Sequence, residues 1–345
     1  MEIAVVVPCY NEQHAISSVI RDFRAALPGC AVYVYDNNST DKTAELARQC
    51  GAVVCHEPLQ GKGNVVRRMF ADIEADVYVM VDGDATYDAR SAPGMVRSLV
   101  ENNLDMVVGT RLESKDSGVF RQGHHFGNRL LTGLVSWLFH GRFRDMLSGY
   151  RVLSRRFVKS FPALSEGFEI ETELTVHALS LRMPVAEKET AYFARPEGST
   201  SKLRTYRDGW RILLMAIKLL KAERPLFFFS LISAIFSAAA LVLAIPIVVT
   251  YMDTGLVPRF PTAILSTGLM ILAFLSLASG FILDNMTHGR REMKRLYYLR
   301  YQAPASVEVK PLLPDVEDQY LNSSGEENPL NGQERTRRHA PDEVF

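Results

Sequence analysis

Net charge is missing from this chain. Thirty-nine lysines and arginines balance 39 aspartates and glutamates, so bulk electrostatics favours neither nucleic acid nor an anionic surface as partner. Cysteine is scarce. Cys9, Cys30, Cys50 and Cys55 all lie in the first sixth of the sequence, at spacings that match no zinc or CxxC pattern. They read as small buried thiols in a reducing compartment. No signal peptide precedes the strand-like run at Ile3, so the first domain is expected in the cytoplasm and the sequon Asn38-Ser39-Thr40 is expected to go unused. There is no P-loop, because Lys62 in Gly61-Lys62-Gly63 precedes glycine and asparagine rather than serine or threonine. His124-His125 fits no metal-ligand spacing and reads as loop.

Charge is also missing locally. Residues 225–284 carry almost none, and Leu226 to Thr250 carries none. At 1.5 Å per residue, about 25 residues reach about 37 Å, enough to cross a hydrocarbon core of about 30 Å with tilt. Pro246 near its end is an expected kink site. A second apolar run spans about Phe260 to Leu283, so the pair reads as a two-helix transmembrane hairpin. Lys202, Arg204, Arg207, Arg211, Lys218, Lys221 and Arg224 precede the hairpin, and Arg290, Arg291, Lys294, Arg295 and Arg300 follow it. The connecting loop holds only Arg259. The positive-inside rule then places both termini in the cytoplasm and the hairpin in the inner (plasma) membrane. Between domain and hairpin, Trp210, Leu213, Leu214, Ile217 and Leu220 recur at helical spacing with basic residues on other faces. That pattern suits an amphipathic helix lying in the headgroup region. The expected organisation is a soluble domain at 1–203, an interfacial helix at 204–224, the hairpin at 225–285, a basic juxtamembrane segment at 286–302 and a disordered tail at 303–345.

The first 110 residues alternate strand and helix patterns. Strands are expected at Glu2–Pro8, Ala31–Asp36, Val53–His56, Val77–Asp82 and Met106–Gly109. Helices are expected at Gln13–Leu27, Asp41–Cys50, Lys62–Ala75 and Ala92–Asn102, the second opened by Ser39 or Thr40 as a cap. This order predicts an α/β, Rossmann-like domain with a mostly parallel sheet, whose ligands bind beyond the carboxyl ends of the strands. Polar residues gather at those ends: Pro8 to Glu12, Asp36 to Ser39, Gly61-Lys62-Gly63, Asp82-Gly83-Asp84 and Gly109-Thr110-Arg111. Two carboxylates on a sharp turn can grip Mg²⁺ or Mn²⁺ and leave open positions for phosphate oxygens. Gly83 lets backbone approach closely. Glu12 reads alternatively as a cap of the first helix, and Asp36-Asn37-Asn38 as a turn.

The stretches VVVPCYNE, VYDNNSTDKT, GKGNVVRRMF, VDGDATYD and GTR resemble the family 2 glycosyltransferases, which have a GT-A fold. DMLSGYRVLSRRF, GFEIETELTVHA and RPEGSTSKLRTYRDG resemble the branch that loads sugars onto polyprenyl phosphates, the dolichol-phosphate mannose synthases and bactoprenol glucosyltransferases. The likeness covers roughly residues 3–220, and the hairpin resembles the bactoprenol arrangement. It implies that Pro8, Tyr10, Glu12, Asp36, Asn38, Lys62 and Gly83 help bind the nucleotide-sugar, with Asp36 reading base or ribose. It implies that Asp82 and Asp84 hold the diphosphate and its metal. A metal-binding amide of some relatives falls at Thr86 here, which leaves water or Asp88 as third ligand. Implied partners are a nucleotide-sugar, with UDP favoured, a polyprenyl phosphate, the membrane and further copies of the chain, a tetramer by resemblance.

A lipid phosphate is already anionic and needs no general base, unlike a hydroxyl acceptor. The protein then has to position that anion and stabilise the leaving group. Arg111, Arg129 with Thr132, Arg195, Ser201 and Lys202 are the expected acceptor-phosphate residues, and the PEGSTS segment reads as a closing loop. Asp145 and Glu173 either order the arginines or act as a base on a hydroxyl acceptor. Direct displacement inverts the anomeric centre. The competing readings are transfer to a lipid hydroxyl and a non-catalytic nucleotide-sugar-binding protein. The Gln-x-x-Arg-Trp motif of processive synthases does not occur.

Overall fold

The computed structural model describes residues 1–112, 133, 143–167, 169–194, 214 and 217–304. Its strands are β1 Ile3–Cys9, β2 Ala31–Asp36, β3 Val53–His56, β4 Val77–Met80, β5 Met106–Leu112, β6 Arg151–Ser154 and β7 Val185–Ala191. Its helices are α1 Ile16–Ala26, α2 Thr43–Gln49, α3 Lys62–Asp72, α4 Ala92–Glu101, α5 Arg155–Ser160, α6 Ile170–Ser180, α7 Pro225–Thr254 and α8 Phe260–Tyr298. The seven strands form one sheet in the order β3-β2-β1-β4-β6-β5-β7. Only β6 runs against its neighbours, β4 and β5. The expected α/β, mostly parallel sheet is therefore present, with one antiparallel strand inserted.

Strand pleating divides the core. Ile3, Val5 and Val7 of β1 face a layer with Ile16, Ile20 and Phe23 of α1 and Met95 and Leu99 of α4. Ala4 and Val6 face the opposite layer, with Val66 and Met69 of α3, Phe157 of α5 and Leu174 of α6. Both faces are covered, which is why the strands read as continuous apolar runs rather than alternating ones.

The expected cap of α2 needs correction. Ser39 Oγ accepts from the Asn11 N–H at 2.9 Å, and Asp41 Oδ1 accepts from the Thr43 N–H at 3.0 Å. Ser39 therefore joins two strand ends, and Asp41 takes the local role. Likewise the Glu12 carbonyl, not its carboxylate, accepts from the Ala15 and Ile16 N–H groups at the start of α1.

α7 and α8 are each long and apolar enough to cross a membrane. Buried positions of α8 recur every seven residues at Ser266, Ala273, Gly280 and Thr287. These small residues let the two backbones approach closely. A Cβ at Gly280 would lie 3.0 Å from that of Phe229, and Ser266 Oγ donates to the Ala240 carbonyl at 2.9 Å. α7 continues through Pro246 to Thr254. Residues 217–223 are helical, and Leu219 packs on the core of the sheet domain. The basic end of α8 docks on the sheet domain. Tyr298 Oη donates to Asp105 at 2.9 Å beneath the Arg156 guanidinium, and Arg156 also pairs with Asp105.

His177 in α6 is buried among Phe157 and Phe161, 3.1 Å from Ser160 Oγ. Burial, reinforced by the Lys294 charge, pushes its pKa down to about 3. In the unfolded chain a histidine titrates near about 6.5. Between those values the unfolded state binds a proton that the folded state refuses, so this contribution is complete above pH 6.5 and is lost as pH falls. From pH 7 to 5 the chain should lose about 2 kcal/mol more stability than His177→Gln. Denaturant titrations of both proteins at the two pH values would show this; parallel losses would contradict it.

Candidate functional site

The site begins with three strand ends that share unusual backbone. Asn11, Asn38 and Ala85, just past β1, β2 and β4, all take positive φ, at 53°, 65° and 57°. Asparagine tolerates this region, but alanine does not do so readily, and such outliers concentrate at functional sites. Side-chain bonds lock the loops together. Asn11 Oδ1 accepts from the Thr40 N–H at 2.8 Å, and Thr43 Oγ1 accepts from the Glu12 N–H at 2.8 Å. Asn37 donates to the Glu57 and Leu59 carbonyls and accepts from the Gly61 N–H at 2.7 Å, tying β2 to the entry of α3. Asn38 donates to the Pro58 carbonyl at 3.0 Å.

Asp36 ends β2 and is buried. Its Oδ2 accepts from the Ser39 N–H at 3.3 Å and lies 3.5 Å from His56 Nδ1. Its Oδ1 is buried with no hydrogen-bond partner among the described residues. Buried carboxylate oxygens are ordinarily satisfied, so this acceptor suits a donor from a bound molecule. Pro8 and Tyr10, half-buried, flank Cys9, which pairs with Asp36 across β1 and β2, and Glu12 is buried.

Beyond β4, Asp82 and Asp84 occupy different surroundings. Thr86 Oγ1 donates to Asp84 Oδ1 at 2.6 Å, and both residues are buried. Thr86 thus orients Asp84. Asp88 accepts from the Arg90 N–H at 3.1 Å and caps the short turn that follows. Asp82 Oδ1 pairs with Lys62 Nζ at 2.5 Å, and Lys62 also pairs with Glu171 at the start of α6. Burial opposes the Lys62 charge, but the two carboxylates outweigh it and push its pKa up. The other Asp82 oxygen presses on Gly149, where a Cβ would stand 2.3 Å from it. The Gly149 N–H donates to Tyr87 Oη at 2.9 Å, and burial beside Asp82 pushes that phenol up. Gly63 supports the other side of Lys62. A Cβ there would meet the Ser165 carbonyl at 2.0 Å, and Glu173 fixes that loop by accepting from the Leu164 and Ser165 N–H groups at 2.9 and 2.8 Å.

Arg111, at the end of β5, is held by Asp145 through Nε and Nη2, both at 2.7 Å. Burial disfavours its charge, and the Asp145 hydrogen bonds outweigh this and push its pKa up. Glu187 holds the Asp145 loop by accepting from the Arg144 and Asp145 N–H groups at 2.8 and 3.1 Å. The fully buried Arg151 donates to the Met146 and Ser148 carbonyls from behind.

Of the expected site residues, the structure joins Lys62 to Asp82 and Arg111 to Asp145. Arg129, Thr132, Arg195, Ser201 and Lys202 lie outside the described residues. Glu171, Tyr87 and Gly149 are not singled out by the sequence, since none directly follows an apolar strand and Glu171 is 109 residues from Lys62, whereas Asn37 figures there only as part of the polar cluster after β2. Among the described residues no three His, Cys, Asp or Glu side chains gather closely enough to hold a metal alone. Two carboxylates on one turn nevertheless fit a hard cation whose shell a substrate diphosphate completes.

Residues 4–160 match the family model described as glycosyl transferase family 2. Protein RfbJ of Shigella flexneri is 60% identical over 122 residues, covering 35% of this chain and 95% of that protein. Glycosyltransferase AglJ of Haloferax volcanii is 36% identical over 245 residues, covering 70% of this chain and 80% of that one. The dolichyl-phosphate hexose transferase of Haloferax volcanii is 28% identical over 223 residues, covering 65% and 96%. Among solved structures, the fold resembles Mycobacterium tuberculosis glucosyl-3-phosphoglycerate synthase in complex with Mn²⁺, UDP and glucosyl-3-phosphoglycerate. The TM-score is 0.51 and the identity 25%, over 62% of this chain and 79% of that one.

Proposed function

Because the chain belongs to glycosyl transferase family 2 and is a glycosyltransferase, we propose that it moves a sugar from a UDP-sugar to the phosphate of a polyprenyl phosphate. The reaction runs at a membrane face, with α7 and α8 as transmembrane anchor and the sheet domain and both termini in the cytoplasm. One observation carries the choice of acceptor: among the described residues, the three carboxylates Asp145, Glu171 and Glu173 around Arg111 and Lys62 are already engaged. Asp145 is taken up by Arg111, Glu173 by two backbone N–H groups and Glu171 by Lys62. A site with its bases so occupied suits an acceptor that arrives deprotonated. The name of the dolichyl-phosphate hexose transferase is consistent with this reading, as is UDP in the mycobacterial complex with a UDP-linked donor.

Each residue then has a task. Asp36 Oδ1 receives a donor from the base or ribose, in a pocket with Pro8, Tyr10, Glu12 and Asn38. Lys62 and the Gly83 turn meet the diphosphate, while Glu171 retains the Lys62 ammonium at the site. Mg²⁺ or Mn²⁺ held by Asp82 and Asp84 would neutralise charge on the departing diphosphate. Arg111, with Arg129, Thr132, Arg195, Ser201 and Lys202, orients the acceptor phosphate. Attack from the face opposite the leaving group inverts the anomeric centre.

The test is transfer by the detergent-solubilised chain, supplied with undecaprenyl phosphate, Mg²⁺ or Mn²⁺ and a panel of UDP- and GDP-sugars, with lipids read by mass spectrometry. A lipid gaining one hexose or N-acetylhexosamine from a UDP donor is expected. Transfer only when diacylglycerol replaces the polyprenyl phosphate would overturn the acceptor assignment.

A further inference from the structure

A second feature lies at the other edge of the sheet. Residues 181–184 link α6 to the start of β7, and the Pro184 carbonyl accepts from the Asp105 N–H just before β5 begins. This is the amino edge of the parallel strands, whereas Asp36, Asp82 and Arg111 stand at the carboxyl edge. Here a cavity of about 240 Å³ opens between the end of α6 and α8, lined by Ser180, Leu181, Arg182, Arg291, Glu292 and Arg295. Three arginines and one glutamate are among its lining residues.

The arginines are placed in different ways. Arg295 Nη1 donates to the Leu181 carbonyl at 2.8 Å. Arg291 Nη2 donates to the Glu223 carbonyl and carboxylate at 2.8 and 2.9 Å. These bonds fix both side chains and leave most of the five donors of each guanidinium uncommitted to them. Arg291 Nε is buried with no acceptor among the described residues, a costly state for a charged donor. Arg182 breaks a local rule. The Met183 and Arg182 N–H groups bond to the Ala178 and Leu179 carbonyls, the pattern that closes a helix with a left-handed residue. Glycine normally fills that position, yet arginine fills it here, at φ 52°.

Guanidinium forks recognise planar or tetrahedral oxyanions by paired N–H donors, and phosphate is the anion they suit best. The position also limits the source. The apolar run of α8 ends near Leu283, and Arg291 follows eight residues later, about 12 Å along the axis. Headgroups extend roughly 5–7 Å beyond the hydrocarbon core, and an arginine side chain covers much of the remaining distance.

We propose that this cavity is a binding site for a phosphate-bearing anion, separate from the carboxyl-edge site, filled by the headgroup of an anionic lipid or by free phosphate. The full-length chain in detergent tests it in two arms. Native mass spectrometry compares retention of phosphatidylglycerol with phosphatidylcholine, and calorimetry measures inorganic phosphate. Arg182→Gln should cut phosphatidylglycerol retention, or phosphate affinity, by about fivefold or more while glycosyl transfer stays unchanged. The arm that responds names the source. Glu292→Gln removes the one carboxylate from the lining and should shift the same arm the opposite way, which guards against a fold defect in Arg182→Gln. Identical behaviour of the native chain and both variants in both arms would overturn the proposal.

Discussion

Asp84→Asn is expected to lower glycosyl transfer by about 10²–10³-fold, the range seen when one preorganised electrostatic contact to developing charge is removed. The variant keeps the size of the side chain and an oxygen for the 2.6 Å bond from Thr86. It loses only the negative charge. Asp84 is buried and Asn matches it in shape while still accepting from Thr86, so the substitution is expected to leave folding intact. The expected signature is therefore a lost rate with an unchanged melting temperature and weakened Mn²⁺ binding, read from paramagnetic broadening. An Asp84→Asn protein with full activity would remove the aspartate pair from the mechanism.

Lys62→Met should damage both stability and rate. Lys62 is buried between Asp82 and Glu171, and deleting one member of a buried ion pair costs about 3–5 kcal/mol because the remaining charges lose their partner. Asp82 is partly exposed, so the lower end of that range is expected. Glu171→Gln combined with Lys62→Met should recover part of the stability, since only one carboxylate is then left unpaired. It should not recover transfer, since no ammonium remains to meet the diphosphate. Thermal unfolding and single-turnover rates on the two variants separate these effects. Equal melting temperatures for Lys62→Met and the double variant would show that Glu171 is not coupled to Lys62.

The sequence displayed what depends on local pattern. β2 and β3 begin and end where the sequence pattern predicts, and the other three strands read there, β1, β4 and β5, shift by no more than three residues at either end. The strand-end residues were visible for the same reason, since each polar cluster interrupts an apolar run. Contacts between distant segments were not visible. β6 is four residues long and enters between β4 and β5 against their direction, a pairing that no periodicity announces. Asp145 meets Arg111 across 34 residues, and Glu171 meets Lys62 across 109. Ser39 sits where a helix cap belongs, yet the Asn11 N–H competes for it and wins. Gly149 looks like any turn glycine until the Asp82 carboxylate is found in the space a Cβ would need.

The central claim is that the sugar leaves on a phosphate oxygen rather than on a hydroxyl. Phosphorus NMR of the lipid fraction after complete turnover of undecaprenyl phosphate with an α-linked UDP-sugar tests it directly. The account predicts that the phosphomonoester resonance disappears and a phosphodiester appears, coupled to an anomeric proton of β configuration. A monoester resonance that persists while sugar accumulates in the lipid fraction would contradict it.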